Sequence, residues 1–130
     1  MPPTLTDRQR GFFERPNFGH LATLMPDGSP HVSPVWVDVD GDEILVNTAA
    51  GRLKERNVRR DPRVAISVRD QDLVEEEVVV RGRVVGITAE GADEHIDALS
   101  RKYTGKPFGS RTPGAQRLIL RIQPEHVAGG

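Results

Sequence analysis

Six basic residues, Arg52, Lys54, Arg56, Arg59, Arg60 and Arg63, fall within twelve positions of this chain against two acidic ones, Glu55 and Asp61. The local net charge is +4. Guanidinium and ammonium groups bring donors and positive charge but no acceptors, so the chemistry they offer is anion binding. Their placement sharpens that reading. The apolar run Ile44 to Val46 reads as a strand end, and the small-residue stretch that follows leads into a short helix with Arg52 and Lys54 in its first turn. A helix N-terminus already carries about half a positive charge, which disfavours cations and favours an anion held by free backbone N–H groups. The arrangement makes sense if a phosphate sits there. The competing reading is a solvated basic face of a surface helix.

Other chemistry is thin. There is no cysteine, which removes thiolate nucleophiles, thiolate metal sites and disulfides. His20, His95 and His126 have no metal-ligand spacing, and we expect neither a metal nor a catalytic triad. The acidic run Glu75 to Glu77 reads as a charged strand start that discourages edge pairing. With 18 Lys and Arg against 19 Asp and Glu the formal charge is −1, so general nucleic-acid affinity is not expected. No apolar run has the length of a signal peptide core or a membrane span, which leaves a soluble cytoplasmic protein as the expectation, with no membrane partner.

The elements that must position the basic segment are mostly strands. At 130 residues the chain fits one domain spanning 1–130. Gly19 to Leu24 reads as a strand closed by the turn Pro26-Asp27-Gly28, and Pro30 to Val39 as a second strand. Asp40-Gly41 suits a type I′ hairpin into Glu43 to Asn47. Arg63 to Arg69 alternates apolar and small or polar residues, and Glu75 to Thr88 is a long strand in which Gly82 and Gly86 predict a bend or bulge. Ala92, Ile96, Leu99 and Tyr103 recur at helical spacing over Gly91 to Tyr103. Residues 104–115 read as a loop, and Leu118 to Ile122 as a last strand before Pro124 and a polar tail. About six strands with two or three short helices predict a mainly β protein, an antiparallel barrel whose small interior is filled by side chains. A ligand must then lie outside the barrel, in a groove or a subunit interface.

The segments Leu21 to Trp36, Gly51 to Asn57 and Arg60 to Ala65 together resemble the pyridoxamine 5′-phosphate oxidase-like split-barrel superfamily, and within it the F420-dependent (deazaflavin) oxidoreductase branch. The similarity runs from about Phe18 to Ile122. It implies a six-stranded split β-barrel, a homodimer, and two cofactor grooves formed by both subunits. By this resemblance the cofactor ring lies along the second strand, at His31, Ser33, Pro34, Val35 and Trp36. The phosphate maps onto Thr48, Arg52 and Lys54, with Arg56, Asn57 and Arg60 in support. Lys102, Lys106 and Arg111 are candidates for the acidic tail of coenzyme F420, and Trp36 and Phe108 for a wall beside a small-molecule substrate.

The implied activity is hydride transfer from reduced F420 to an unsaturated organic acceptor such as an enone, a quinone or a tetrapyrrole. In such chemistry the protein orients the cofactor, excludes water and tunes the ring. Two alternatives stand beside it. One is an FMN-binding flavoprotein of the same superfamily. The other is a non-enzymatic module that holds the cofactor or a haem-like tetrapyrrole.

Overall fold

In the computed structural model, which describes residues 3–109 and 114–130, the chain runs α1 (Asp7–Glu14), β1 (Gly19–Leu24), β2 (Pro30–Val35), β3 (Asp38–Asp40), β4 (Glu43–Ala49), α2 (Leu53–Arg60), β5 (Arg63–Arg69), β6 (Glu77–Thr88), α3 (Ala92–Thr104) and β7 (Arg117–Gly129). The strands form one antiparallel sheet in the order β2-β1-β5-β6-β7-β4-β3. β2 and β3 are its two outer strands, yet only Trp36 and Val37 separate them in the chain. Three Cα steps reach at most about 11 Å. The sheet therefore curls until its two edges nearly meet, which makes a split barrel.

Seven strands are present among the described residues where the sequence predicts six. The difference lies in Pro30 to Val39, which reads as one strand but breaks at Trp36-Val37. There the Val37 N–H donates to the Tyr103 hydroxyl at 2.9 Å and its carbonyl accepts from Lys102 Nζ at 2.6 Å. Side chains of α3 thus satisfy backbone groups that a continuous strand would have offered to a neighbour.

The β3–β4 hairpin is a second correction. Gly41 has φ 63° and no non-glycine residue among those described has positive φ, so Asp42 stays on the negative side. Positive φ at the first loop position alone is the type II′ pattern, where type I′ requires it at both. The Asp42 carboxylate accepts instead from Leu5 N at 3.0 Å and Arg10 Nη2 at 3.1 Å.

The predicted bulges are real: register shifts occur between Arg81 and Gly82 and between Val84 and Gly86. At the first, Gly82 lies opposite Pro124, and a Cβ on Gly82 would collide with the Gln123 carbonyl. This is also why the predicted polar tail is strand. Proline lacks a ladder donor, but a bulge removes the need for one, and β7 continues past Pro124 to Gly129 against β6. The interior is filled from both ends: Phe12 and Phe13 of α1 and Val58 of α2 join Leu21, Ile66, Val80, Leu120 and Ile122 in one buried cluster. Each such side chain contributes about 1.5–3 kcal/mol on burial. α3 packs outside the barrel, with Ala92 against Leu45 of β4 and Ile119 of β7.

Candidate functional site

At one end of the barrel, the last residues of β2 and β4, the start of α2 and the inner face of α3 surround a groove of about 370 Å³. One half of its wall is apolar, built from Phe18, Pro34, Val35, Trp36, Ile96, Leu99 and Phe108. The other half carries Asn47, Thr48, Arg52, Lys54 and Arg117. An elongated ligand with a flat apolar part and an anionic end matches this division.

The cationic end is electrostatically incomplete. Arg52 is the N-cap of α2 with no side-chain capping bond, and Lys54 follows in the first turn. Burial, and then the charges of Arg52 and Arg117, pull the Lys54 ammonium below its ordinary pKa. Neither the Arg52 nor the Lys54 side chain has a hydrogen bond or ion pair among the described residues. The acid of the same turn does not neutralise them. Glu55 is 7% exposed and turns away to accept from Gly51 N at 2.8 Å and from Arg59 Nε. Those bonds, the Gly51 N–H foremost, hold its carboxyl below the usual range against the cost of burial. A half-buried ammonium beside an exposed guanidinium, with no counter-charge on either side chain among the described residues, is stabilised when an anion enters.

The apolar half is braced from behind. Trp36 stacks on Tyr103 with ring centroids 5.3 Å apart and 8° between planes, and Phe18 tilts against the same ring at 5.4 Å. The Tyr103 hydroxyl accepts from Val37 N and donates to the Asn17 carbonyl at 2.6 Å. Lys102 Nζ donates to the carbonyls of Phe13 at 2.8 Å and Val37 at 2.6 Å. These bonds fix Trp36 in place without any ligand.

The structure brings Pro34, Val35, Trp36, Thr48, Arg52 and Lys54 together around the groove, with Phe108 in its wall. Thr48, 3% exposed, faces it from β4. His31 and Ser33 occupy the face of β2 opposite to Pro30, Val32 and Pro34, and His31 Nδ1 and Ser33 Oγ are buried with no hydrogen-bond partner. Orphaned buried polar atoms are costly, and neither residue is among those that line the groove.

Other predicted residues go elsewhere. Asn57 is fully buried and donates to Thr23 Oγ1 at 3.0 Å, while Arg60 Nη2 donates to the Leu24 carbonyl at 2.7 Å and to Asn57 Oδ1 at 2.8 Å. Both tie α2 to β1. Arg56 is exposed on the helix and Lys106 on the loop after α3. Lys102, predicted for a cofactor tail, is instead a strut between α1, α3 and the β2–β3 junction. Arg111 lies outside the described residues. Sequence reasoning missed Asn47 and Arg117. Arg117 Nε donates to Asn47 Oδ1 at 2.9 Å, and its guanidinium lies 5.3 Å from the centre of the Phe108 ring.

The sequence profile described as pyridoxamine 5′-phosphate oxidase matches residues 5–129. The chain belongs to that family. Among similar solved structures of the family's fold, one named F420 reductase is 32% identical with a TM-score of 0.82, covering 92% of this chain and 94% of its own. A conserved hypothetical protein of Mycobacterium tuberculosis is 27% identical with a TM-score of 0.77, covering 98% of this chain and 85% of its own. A putative pyridoxamine 5′-phosphate oxidase of Listeria innocua, 21% identical with a TM-score of 0.72 and 95% coverage of both chains, shares the fold. The resemblance read from the sequence is to the same family and to its F420-dependent branch. These matches place the chain in a superfamily of flavin and deazaflavin oxidoreductases. No helix among the described residues is long and apolar enough to cross a membrane.

Proposed function

We propose that this protein is an F420-dependent oxidoreductase that passes hydride from reduced deazaflavin to an unsaturated small molecule such as an enone, a quinone or a tetrapyrrole. The observation that carries the reading is the groove itself, an apolar half joined to a cationic end in which the half-buried Lys54 has no carboxylate partner among the described residues. The 32% identity to an F420 reductase supports deazaflavin over other anionic ring compounds. When bound, the cofactor supplies the hydride chemistry. Arg52, Lys54 and Thr48 hold its phosphate, and the ring lies against Pro34, Val35 and Trp36, with the unpartnered His31 Nδ1 and Ser33 Oγ on the same strand as candidates for its polar edge. Trp36, braced by Tyr103, excludes water from one side of the groove. By this reading Lys106, which is exposed, and Arg111 are the candidates for an acidic tail.

The protein acts as a cytoplasmic homodimer. Support comes from β2, an outer strand whose Pro30, Val32 and Pro34 share one face, with Val32 61% exposed beside its cross-strand partner Ala22. A partner seated there also covers the mouth of the groove at Pro34. FMN carries the same pairing of ring and phosphate, so the deciding experiment compares the two cofactors on one apo preparation. Trp36, the only tryptophan, lines the groove and reports occupancy by its fluorescence. Saturable quenching by F420 at micromolar concentration, with weaker quenching by FMN, is the expected result. Tighter FMN binding would reassign the protein as a flavoprotein, and binding without turnover over a panel of acceptors would make it a carrier.

A further inference from the structure

Asn47 joins parts of the molecule that are distant in sequence. Its Oδ1 accepts from Arg117 Nε at 2.9 Å, while its Nδ2 donates to the Ala92 carbonyl at 2.9 Å and faces His95 Nδ1 at 3.1 Å. His95 Nε2 in turn lies 3.1 Å from Asp38 Oδ2. Directions in this chain of contacts follow from what each group is able to do. The Ala92 carbonyl only accepts and the Arg117 guanidinium only donates, so the Asn47 amide has one workable orientation. Reversed, it would set oxygen against the Ala92 oxygen and nitrogen against the Arg117 donor. With the amide fixed, His95 Nδ1 must accept, and the proton of the neutral ring belongs on Nε2, where Asp38 receives it. Side chains of β7, β4, α3 and β3 are thereby ordered in one sense, Arg117 to Asn47 to His95 to Asp38.

We propose that Asn47 is the positioning residue that holds Arg117 as a third cation of the groove, beside Arg52 and Lys54. Three like charges around one cavity repel, and a long flexible guanidinium relieves that repulsion by swinging outward. The Asn47 oxygen on Nε and the Phe108 ring face against the guanidinium oppose this. The ring itself is steadied, since Phe108 N donates to Asp97 Oδ1 at 3.0 Å. Arg117 thus sits where the apolar half of the groove meets its cationic half, and its planar fork suits a phosphate or carboxylate. This deepens the cofactor reading and rests on the groove being the cofactor site.

The test has an arm that needs no ligand. In ¹⁵N NMR of the apo protein, His95 Nδ1 gives the signal of an unprotonated ring nitrogen and Nε2 that of a protonated one. Slow exchange of the Arg117 Nε–H with water is expected in the wild type and is lost in Asn47→Leu. The opposite tautomer, or unchanged exchange in Asn47→Leu, overturns the proposal. Should Asn47→Leu fail to fold, His95→Leu removes one of the two holds on the amide, and faster Arg117 Nε–H exchange is then required. In the second arm, Asn47→Leu and Arg117→Met each weaken F420 or FMN binding about three- to tenfold, the scale of one hydrogen bond. The double variant binds no worse than Arg117→Met alone, because Asn47 acts through Arg117. Multiplying factors would mean that Asn47 acts by another route and would overturn the proposal. A wild-type protein that binds neither cofactor removes the cofactor reading, and the apo measurements still decide the positioning role.

Discussion

Replacing Lys102 by methionine separates a strut from a ligand contact. In the structure the ammonium bridges the Phe13 and Val37 carbonyls at 2.8 and 2.6 Å. Hydrogen bonds to a charged group contribute about 1.5–3 kcal/mol each. Against them stands the desolvation of the ammonium, which lowers its pKa from the ordinary value despite the nearby charges of Asp38 and Glu14. Methionine keeps most of the apolar stem but leaves both carbonyls short of a partner. The net loss expected is about 2–4 kcal/mol. At roughly 2.1 cal/mol/K per residue, unfolding a chain of 130 residues carries an entropy near 270 cal/mol/K, so the midpoint falls by about 7–15 °C. Thermal unfolding by circular dichroism measures this, and Trp36 fluorescence measures cofactor affinity of the folded protein on the same sample. The affinity should stay within about twofold, since no bond of Lys102 points to the groove. An unchanged midpoint with affinity lost about tenfold would refute the reasoning and return Lys102 to the ligand.

Three further outcomes are expected. Lys54→Met should weaken cofactor binding by about 1–3 kcal/mol in a fluorescence titration. It should leave ligand-free stability equal or slightly higher, because repulsion with Arg52 and Arg117 is relieved; an unchanged dissociation constant removes the phosphate assignment. Tyr103 is the only tyrosine, and burial pushes its phenol up to about 12 from an ordinary 10. Between those values the unfolded chain sheds the proton while the folded chain keeps it, so stability falls as pH rises through that window. Tyrosinate absorbance of the folded protein should therefore titrate near the upper value, and a midpoint near the lower one would contradict its burial. Gly82→Ala should cost about 1–3 kcal/mol in urea unfolding, because the Gln123 carbonyl occupies the space the methyl needs; a loss below a few tenths would show that the bulge yields easily.

Much of the fold was legible because β patterns are local. Gly19 to Leu24 and Arg63 to Arg69 alternate and end at turn residues, and both are strands over those bounds. What misled was the assumption that backbone bonds go to backbone. Pro30 to Val39 reads as continuous, yet the Tyr103 hydroxyl and the Lys102 ammonium take over Val37 from a helix more than sixty residues away. Pro124 reads as a stop, yet the bulge opposite Gly82 makes room for it. The helix α1 carries a readable signal, Thr6 with Gln9 in a reciprocal capping box, that the apolar pattern alone does not raise. The groove divides in the same way. Arg52 and Lys54 stand out by charge density, whereas Arg117 faces Asn47 only through the β4–β7 register, which no local pattern encodes. Asn57 and Arg60 share the basic helix with Lys54 but lie on the side that meets β1, and charge counting does not resolve helix faces.

The step from β2 to β3 through Trp36 and Val37 makes the groove wall a seam as well as a surface. Each of these strands has a neighbour on one side only, so this is where the barrel opens most easily and where amide hydrogens exchange with water first. What keeps the seam shut is a clasp from α3, the Tyr103 and Lys102 bonds to Val37. A molecule that packs against Trp36 leans on that clasp from the other side. A ligand in the groove therefore protects the seam from opening, and amide exchange around Val37 slows on binding, while affinity itself holds as long as the closed form predominates.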